Sequence, residues 1–349
     1  MKRESWIDSC RFWAIFVIMF THYLATHLPS ALSLWEGGPS WWLLGGLTGK
    51  FSVAFFFVLL GYFASAPRRF SLADYGQYCA RRYVQFAFYV FVTTFLFILG
   101  SYAVTWLFHA PEEDVFRVLS DGPRYNLLYL LHDSFLFEDN YNATLWCMQQ
   151  LFGASLICRA LGCLPEEWKP GYRILISLGL MALLLLFNAE YGIWLCVGIL
   201  GYLLRFGLSF YETHPKLSKP LPLLLIFFAA ILCIKAPLEE GLPLYSLQGV
   251  GALLLLLVLF HAKRAQKLLA AGPFPWLGSI SMGLFVVHTP INALLCSSLH
   301  VLLRARLPAV VLLPFGFCVS LALCILCAWL LAKLYGMIIR QISRSPSKV

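Results

Sequence analysis

Trp6-Ile-Asp8-Ser-Cys-Arg11-Phe-Trp-Ala-Ile-Phe-Val-Ile-Met-Phe-Thr-His22 puts a cation at the head, and an imidazole in the body, of one apolar segment, Phe12 to Leu28. Eleven residue steps turn an α-helix through about 1100°, roughly 20° past three full turns, so Arg11 and His22 leave the helix from the same face. At 1.5 Å of rise per residue they stand roughly 16 Å apart along it. A charge and a base in hydrocarbon cost a few kcal/mol unless they face a cavity or a partner, so this face carries a functional expectation.

The rest of the chain makes that segment the first of many spans. Of 349 residues 60% are apolar and only 12% charged, where a soluble domain has roughly a quarter charged; mean hydropathy is +0.77. Runs of about 17 to 25 apolar residues predict an all-α, polytopic membrane helix bundle of about ten transmembrane helices: 12–28, 50–66, 84–108, 143–163, 172–188, 190–206, 221–236, 243–261, 277–299 and 308–337. Lys2 and Arg3 before an apolar stretch imitate a secretory leader, but Arg11 and His22 interrupt it and no small-residue cleavage site follows, so it reads as a retained span.

Lys and Arg sort by alternate loops. Lys2, Arg3, Arg68, Arg69, Arg81, Arg82, Arg159, Arg173, Arg205, Lys263, Lys333 and Arg340 fall on one side; Lys50, Arg117, Arg124, Lys235, Arg304 and Arg306 fall on the other. Basic residues are held on the cytoplasmic side, so both termini are expected there, which also requires an even number of spans. The net charge of +9 is largely this bias and does not point to nucleic acid. No repeat and no phosphate-binding loop divides the chain, which reads as one domain, 1–349.

The eleven cysteines sit chiefly within spans, as small apolar packing residues; Cys324 and Cys327 form a C-x-x-C without a second ligand pair, and no metal site is expected. One outer loop, 109–142, is acidic, aromatic-rich and long. It reads either as an interfacial helix capping the bundle or as an acceptor-binding lid.

Inside the spans, Arg11, His22 and His288 stand out, with Asp8 one helical turn from Arg11 and able to pair with it. Blander readings exist for each: a snorkelling guanidinium, an imidazole bonded to a backbone carbonyl, a polar helix contact beside the kink at Pro290.

The Trp6 to Arg11 pattern, ten intervening residues and then His22 resemble the opening of the acyltransferase-3 family of integral membrane O-acyltransferases. Further matches follow in order. Lys50-Phe-Ser-Val-Ala-Phe-Phe-Phe-Val-Leu-Leu-Gly-Tyr-Phe63 is similar to the family's second span, with Leu60 for its usual serine. Arg81 and Arg82 fall before span three, Asn142-Ala-Thr-Leu-Trp146 resembles the Leu-Trp motif, and Gly278 through His288 resembles the Gly-x-x-Ser-x-x-x-Tyr-x-x-His motif. Gln149, Gln150 and Leu151 stand where many members have a glutamate, and an amide cannot hold its negative charge.

The resemblance implies transfer of an acyl group, usually acetyl from acetyl-CoA, to a hydroxyl of a surface glycan or its lipid-linked precursor, in a bacterial inner membrane, with no permanently bound cofactor. His22 is the expected general base, since neutral imidazole suits proton transfer near working pH, and Arg11, held in position by Asp8, is expected to meet the donor's negative charge or shape the inner mouth of the tunnel. Arg68, Arg69, Arg81 and Arg82 are expected to meet the donor's phosphates. His288, Trp146, Gln149, Gln150 and His132 are expected to line the cavity or meet the acceptor, His288 at a developing oxyanion. The pantetheine arm is expected to bring the thioester to His22 through a tunnel along α-helical span one. A transporter or flippase for a polar solute or glycolipid, or a non-catalytic relative, is the alternative; no inverted repeat with paired broken helices favours the transporter.

Overall fold

The computed structural model describes residues 4–27, 49–64, 72–108, 127–137, 142–164, 168, 170–212, 242–303 and 306–344. Among these residues the chain is helical throughout and contains no strand. In chain order the helices are α1 (Ser5–His27), α2 (Gly49–Ala64), α3 (Leu72–Phe108), α4 (Leu127–Leu136), α5 (Met148–Gly162) after a 3₁₀ turn at Ala143–Cys147, α6 (Pro170–Phe187), α7 (Ala189–Glu212), α8 (Leu242–His261), α9 (Lys263–Leu269), α10 (Phe274–Ser279), α11 (Ser281–Ile291), α12 (Ser297–Leu303) and α13 (Ala309–Arg344). The expected span at 221–236 lies outside the described residues.

Among the described residues two helices are long and apolar enough to cross a membrane, Leu72–Ala103 and Val310–Gln341, and a third if Tyr245–His261 and Lys263–Leu269, bent by 96°, form one broken span. Gly49–Phe63, Gly171–Phe187 and Ser281–Leu294 are shorter apolar helices. The helix expected at 84–108 begins twelve residues earlier, at Leu72. Hydropathy registers only the apolar part of a helix, whereas backbone hydrogen bonding continues through Asp74, Arg81 and Arg82. The helix expected at 277–299 is instead broken into α10, α11, a π-helical turn at Asn292–Cys296 and α12. Pro290 lies inside α11 and lacks the N–H that would continue the ladder.

Side-chain contacts fix the helix directions. Trp6 near the start of α1 packs on Phe260 at the end of α8, and Phe20 and Tyr23 near the end of α1 pack on Phe317 near the start of α13. The start of α1 and the end of α13 are therefore at the same end of the bundle. Arg81 and Arg82 at the start of α3, and Arg159 at the end of α5, share that end: Arg159 and Arg82 both lie against the Tyr78 ring, at 5.3 and 5.8 Å. Phe88 and Tyr89 of α3 pack on Tyr335 near the end of α13, which ties these arginines to that end. At the opposite end Lys50 meets Tyr245, and Trp194 and Trp146 follow it in an aromatic row with centroids 5.3 Å apart at each step.

Small residues allow the central helices to touch backbone to backbone, the usual means of close approach in membrane bundles. A Cβ on Gly61 would lie 1.8 Å from the Gly198 carbonyl oxygen, and one on Gly201 2.1 Å from that of Val58, so α2 and α7 cross with no side chain between them.

The long loop is only partly a cap. Residues 109–126 and 138–141 lie outside the described residues, with Tyr125 and Tyr141 among them. α4 lies along α3, and Phe137 at its end is buried between Phe86 and Phe152, at the middle of the α3–α5 pair rather than at its rim. Phe137 has φ of 59°, the left-handed region that a bulky residue rarely adopts.

Candidate functional site

α1 runs without interruption from Ser5 to His27, so the register between Arg11 and His22 is kept. Arg11 Nη1 donates to Asp8 Oδ1 at 3.0 Å, the pairing expected one turn away, and the guanidinium stacks over Phe63 of α2 at 5.0 Å. Asp8 is itself buried and is held by close packing: a Cβ on Gly278 of α10 would stand 1.6 Å from the Asp8 carbonyl oxygen. Beside it Ser9 donates to the carbonyl of Leu269 at the end of α9. Three elements thus clamp the first turns of α1 and with them the carboxylate that holds Arg11.

His22 meets His288. Nδ1 of His22 and Nε2 of His288 are 3.0 Å apart, and the rings lie 24° from parallel with centroids 5.1 Å apart. Nothing in the linear spacing of two residues 266 positions apart announced that contact. His288 is 0% exposed and its Nδ1 lies 2.6 Å from the Phe285 carbonyl oxygen, whereas His22 keeps partial exposure. With both ring nitrogens engaged and no surface free, His288 has no donor left to offer an oxyanion.

Pro290 and Asn142 explain why α11 holds still at this point. The missing proline N–H would have bonded the carbonyl four residues back, that of Val286. Asn142 Nδ2 donates to that carbonyl at 3.1 Å, and Asn142 is fully buried. The Asn142-Ala-Thr-Leu-Trp146 motif therefore has a structural task at its first residue, which holds a carbonyl two positions from His288. Replacing Asn142 by Ala leaves a buried acceptor unpaired and is expected to destabilise the protein by about 1–3 kcal/mol. A lowered melting temperature in detergent checks this; Asn142→Asp, which cannot donate, should behave alike.

The tunnel expected along α1 is not open. Ile15 and Ile18 occupy the face between Arg11 and His22, and they are 0% and 1% exposed. Apolar packing, not a groove, separates the guanidinium from the imidazole.

Of the basic residues expected to meet the donor, Arg68 and Arg69 lie outside the described residues. Arg81 is exposed; Arg82 donates from Nη1 to Gln85 at 3.1 Å and shares Tyr78 with Arg159, which sequence reading had assigned only to the charge bias. Trp146, in the 3₁₀ turn before α5, packs on Trp194 of α7, and Gln149 of α5 donates to the Leu136 carbonyl of α4 at 2.8 Å, so both serve packing between elements. Gln150 is buried with its Oε1 outside any hydrogen bond. His132 is on the exposed side of α4, 3.7 Å from Asp133, and is not brought to His22 by any contact of the described residues. Asp133, counted among the acidic residues of the outer loop 109–142, is instead buried, at 1% exposure. Its signal was present: the run Leu127-Leu-Tyr-Leu-Leu-His-Asp-Ser-Phe-Leu136 is too apolar for solvent.

Comparison with curated proteins and with solved structures finds no match. A family model described as an acyltransferase domain matches residues 4–329. That match begins at the turn carrying Asp8 and Arg11, takes in both histidines, and ends within α13; the chain belongs to the acyltransferase-3 family.

Proposed function

We propose that this acyltransferase is an integral membrane O-acetyltransferase that moves an acetyl group from cytosolic acetyl-CoA to a hydroxyl of a cell-surface glycan or its lipid-linked precursor, with His22 as general base. The observation that carries the reading is the His22–His288 contact, in which one imidazole is sealed and the other is partly exposed. In this reading the bundle has about ten spans, both termini face the cytoplasm, and the membrane is the bacterial inner membrane.

The reaction balances without any further group. His22 takes the proton of the acceptor hydroxyl as the oxygen attacks the thioester carbonyl carbon. The tetrahedral intermediate collapses with cleavage of the carbon–sulfur bond, and the imidazolium returns its proton to the departing CoA thiolate. The products are the acetyl ester and free CoA. The basic end of the bundle, with Arg81, Arg82 and Arg159, suits the anionic nucleotide part of the donor. Arg68 and Arg69 belong to the same proposed surface. Since Ile15 and Ile18 fill the face of α1 between Arg11 and His22, the thioester approaches His22 from the ring's partly exposed side and not along that face. Trp146, Gln149, Gln150 and His132 stand on the acceptor side of this reading.

Purified protein in detergent should release free CoA from acetyl-CoA when an acyl acceptor is supplied, and mass spectrometry of surface glycans should lose one acetyl mass per site in cells lacking the protein. A protein that moves glycolipid across bilayers yet never releases CoA would defeat the reading. Arg11→Ala removes the partner of Asp8 and is expected to raise the KM for acetyl-CoA about tenfold or more, the cost of one charge-assisted contact. Arg11→Lys, which keeps charge but not the guanidinium plane over Phe63, should recover only part of it.

A further inference from the structure

The geometry points to His288 as a positioning residue that fixes the tautomer of His22, leaving Nε2 of His22 as the bare nitrogen available to take a proton; this rests on the acyl-transfer reading for its purpose, not for its geometry. The argument follows from who can donate. A carbonyl oxygen only accepts, so His288 Nδ1, 2.6 Å from the Phe285 oxygen, carries hydrogen. A neutral imidazole has one N–H, so Nε2 of His288 is a lone pair. His22 Nδ1, 3.0 Å from it, must then be the donor. That spends the single N–H of a neutral His22 and leaves its Nε2 unprotonated, on the far side of the ring.

The reverse assignment needs a second proton on His288. It would place a charge on a side chain with 0% exposure, inside a bundle whose interior disfavours unpaired charge. Free imidazole does not by itself prefer hydrogen on Nδ1, so the protein has to impose that choice. It does so through a carbonyl, a sealed imidazole and the substrate-facing imidazole in series.

The series is useful only if its fixed end does not move, and α11 is held at three points. Asn142 donates to the Val286 carbonyl, Ser320 of α13 donates to Oδ1 of Asn292 just past the end of α11, and Gly283 lies so close to Ala328 of α13 that a Cβ would sit 3.0 Å from its backbone. His288 touches no solvent, so its part is to orient and not to meet the acceptor. Holding a catalytic imidazole in one tautomer is worth large factors where it has been measured: loss of the orienting partner in a serine-protease triad costs about 10⁴ in kcat.

The test uses full-length protein in detergent with ¹⁵N-labelled histidine, with the His22 signals identified by their loss in His22→Ala. Two-bond ¹⁵N–¹H correlations report which ring nitrogen bears hydrogen. The wild type should show His22 protonated on Nδ1 with Nε2 bare. His288→Gln, whose amide oxygen can accept from His22 Nδ1, should keep that pattern and most of kcat. His288→Leu should release His22 to hydrogen on Nε2 and lower kcat about 100-fold, with KM for acetyl-CoA within about twofold. Wild-type His22 protonated on Nε2, or the Nδ1–H form persisting in His288→Leu, would overturn the assignment. The tautomer is read without turnover, so a wild type that shows the expected tautomer but never consumes acetyl-CoA would defeat the acyl-transfer reading and leave the assignment standing. If His288→Leu does not fold, the wild-type spectrum alone still decides.

Discussion

His22→Ala is expected to abolish acceptor-dependent CoA release while leaving a folded protein that still binds acetyl-CoA. General base catalysis by a positioned imidazole contributes typically 10²–10⁴-fold, so turnover should fall by about that factor, close to the limit of detection for a slow membrane enzyme. Its loss takes the donor from the sealed Nε2 of His288, so a cost of about 1–3 kcal/mol in stability is expected beside the loss of turnover, the same as for any buried acceptor left unpaired. Three measurements separate the outcomes: CoA release with acceptor, acetyl-CoA binding, and the melting temperature in the same detergent. A variant that transfers acetyl at the wild-type rate would remove His22 from the chemistry, and with it the purpose assigned to His288.

Gly278→Ala is expected to be the most damaging change of a single methyl group. The added carbon would stand 1.6 Å from the Asp8 carbonyl oxygen, a distance no atom pair tolerates, and the obstacle is backbone rather than a side chain that can swing aside. α10 must move off α1 or α1 must bend, and overpacking of this kind costs typically 1–3 kcal/mol and sometimes more. Because Asp8 holds Arg11, the displacement should also weaken donor binding, so a raised KM is expected to accompany the lowered melting temperature. Gly179→Ala provides the comparison: a Cβ there meets nothing within 4 Å, and both quantities should stay at their wild-type values. Equal behaviour of the two variants would mean that the α1–α10 contact is not as tight as described.

Much of the helical layout was legible because hydrocarbon selects apolar runs regardless of what they pack against. The starts of α2 and α8 fall within one residue of positions read from hydropathy, whereas α1 begins seven residues before Phe12 because its first turns are polar. Three features were hidden, each for a physical reason. The polar start of α3 is helical by backbone hydrogen bonding, which hydropathy does not sense. The acidic and aromatic stretch before Asn142 averages to a loop, yet its middle, Leu127–Leu136, is apolar enough to enter the bundle and bury Asp133. The break after Pro290 was foreseeable as a kink, but the donor that makes it tolerable lies 144 positions upstream.

The site divides the same way. Pairing of Asp8 with Arg11 follows from one helical turn and was readable; pairing of His22 with His288 depends on how α1 and α11 lie against each other, and only ordered motif matches hinted at it. The open passage expected on α1 failed because spacing fixes which face a residue occupies and says nothing of what fills that face; Ile15 and Ile18 fill it.

An imino acid whose absent hydrogen is made good by an amide from another part of the chain binds two distant positions into one unit. Removing the asparagine is expected to cost more with the proline in place than after the proline has been replaced by a residue that supplies its own N–H, so the two substitutions together should cost less than the sum of each alone.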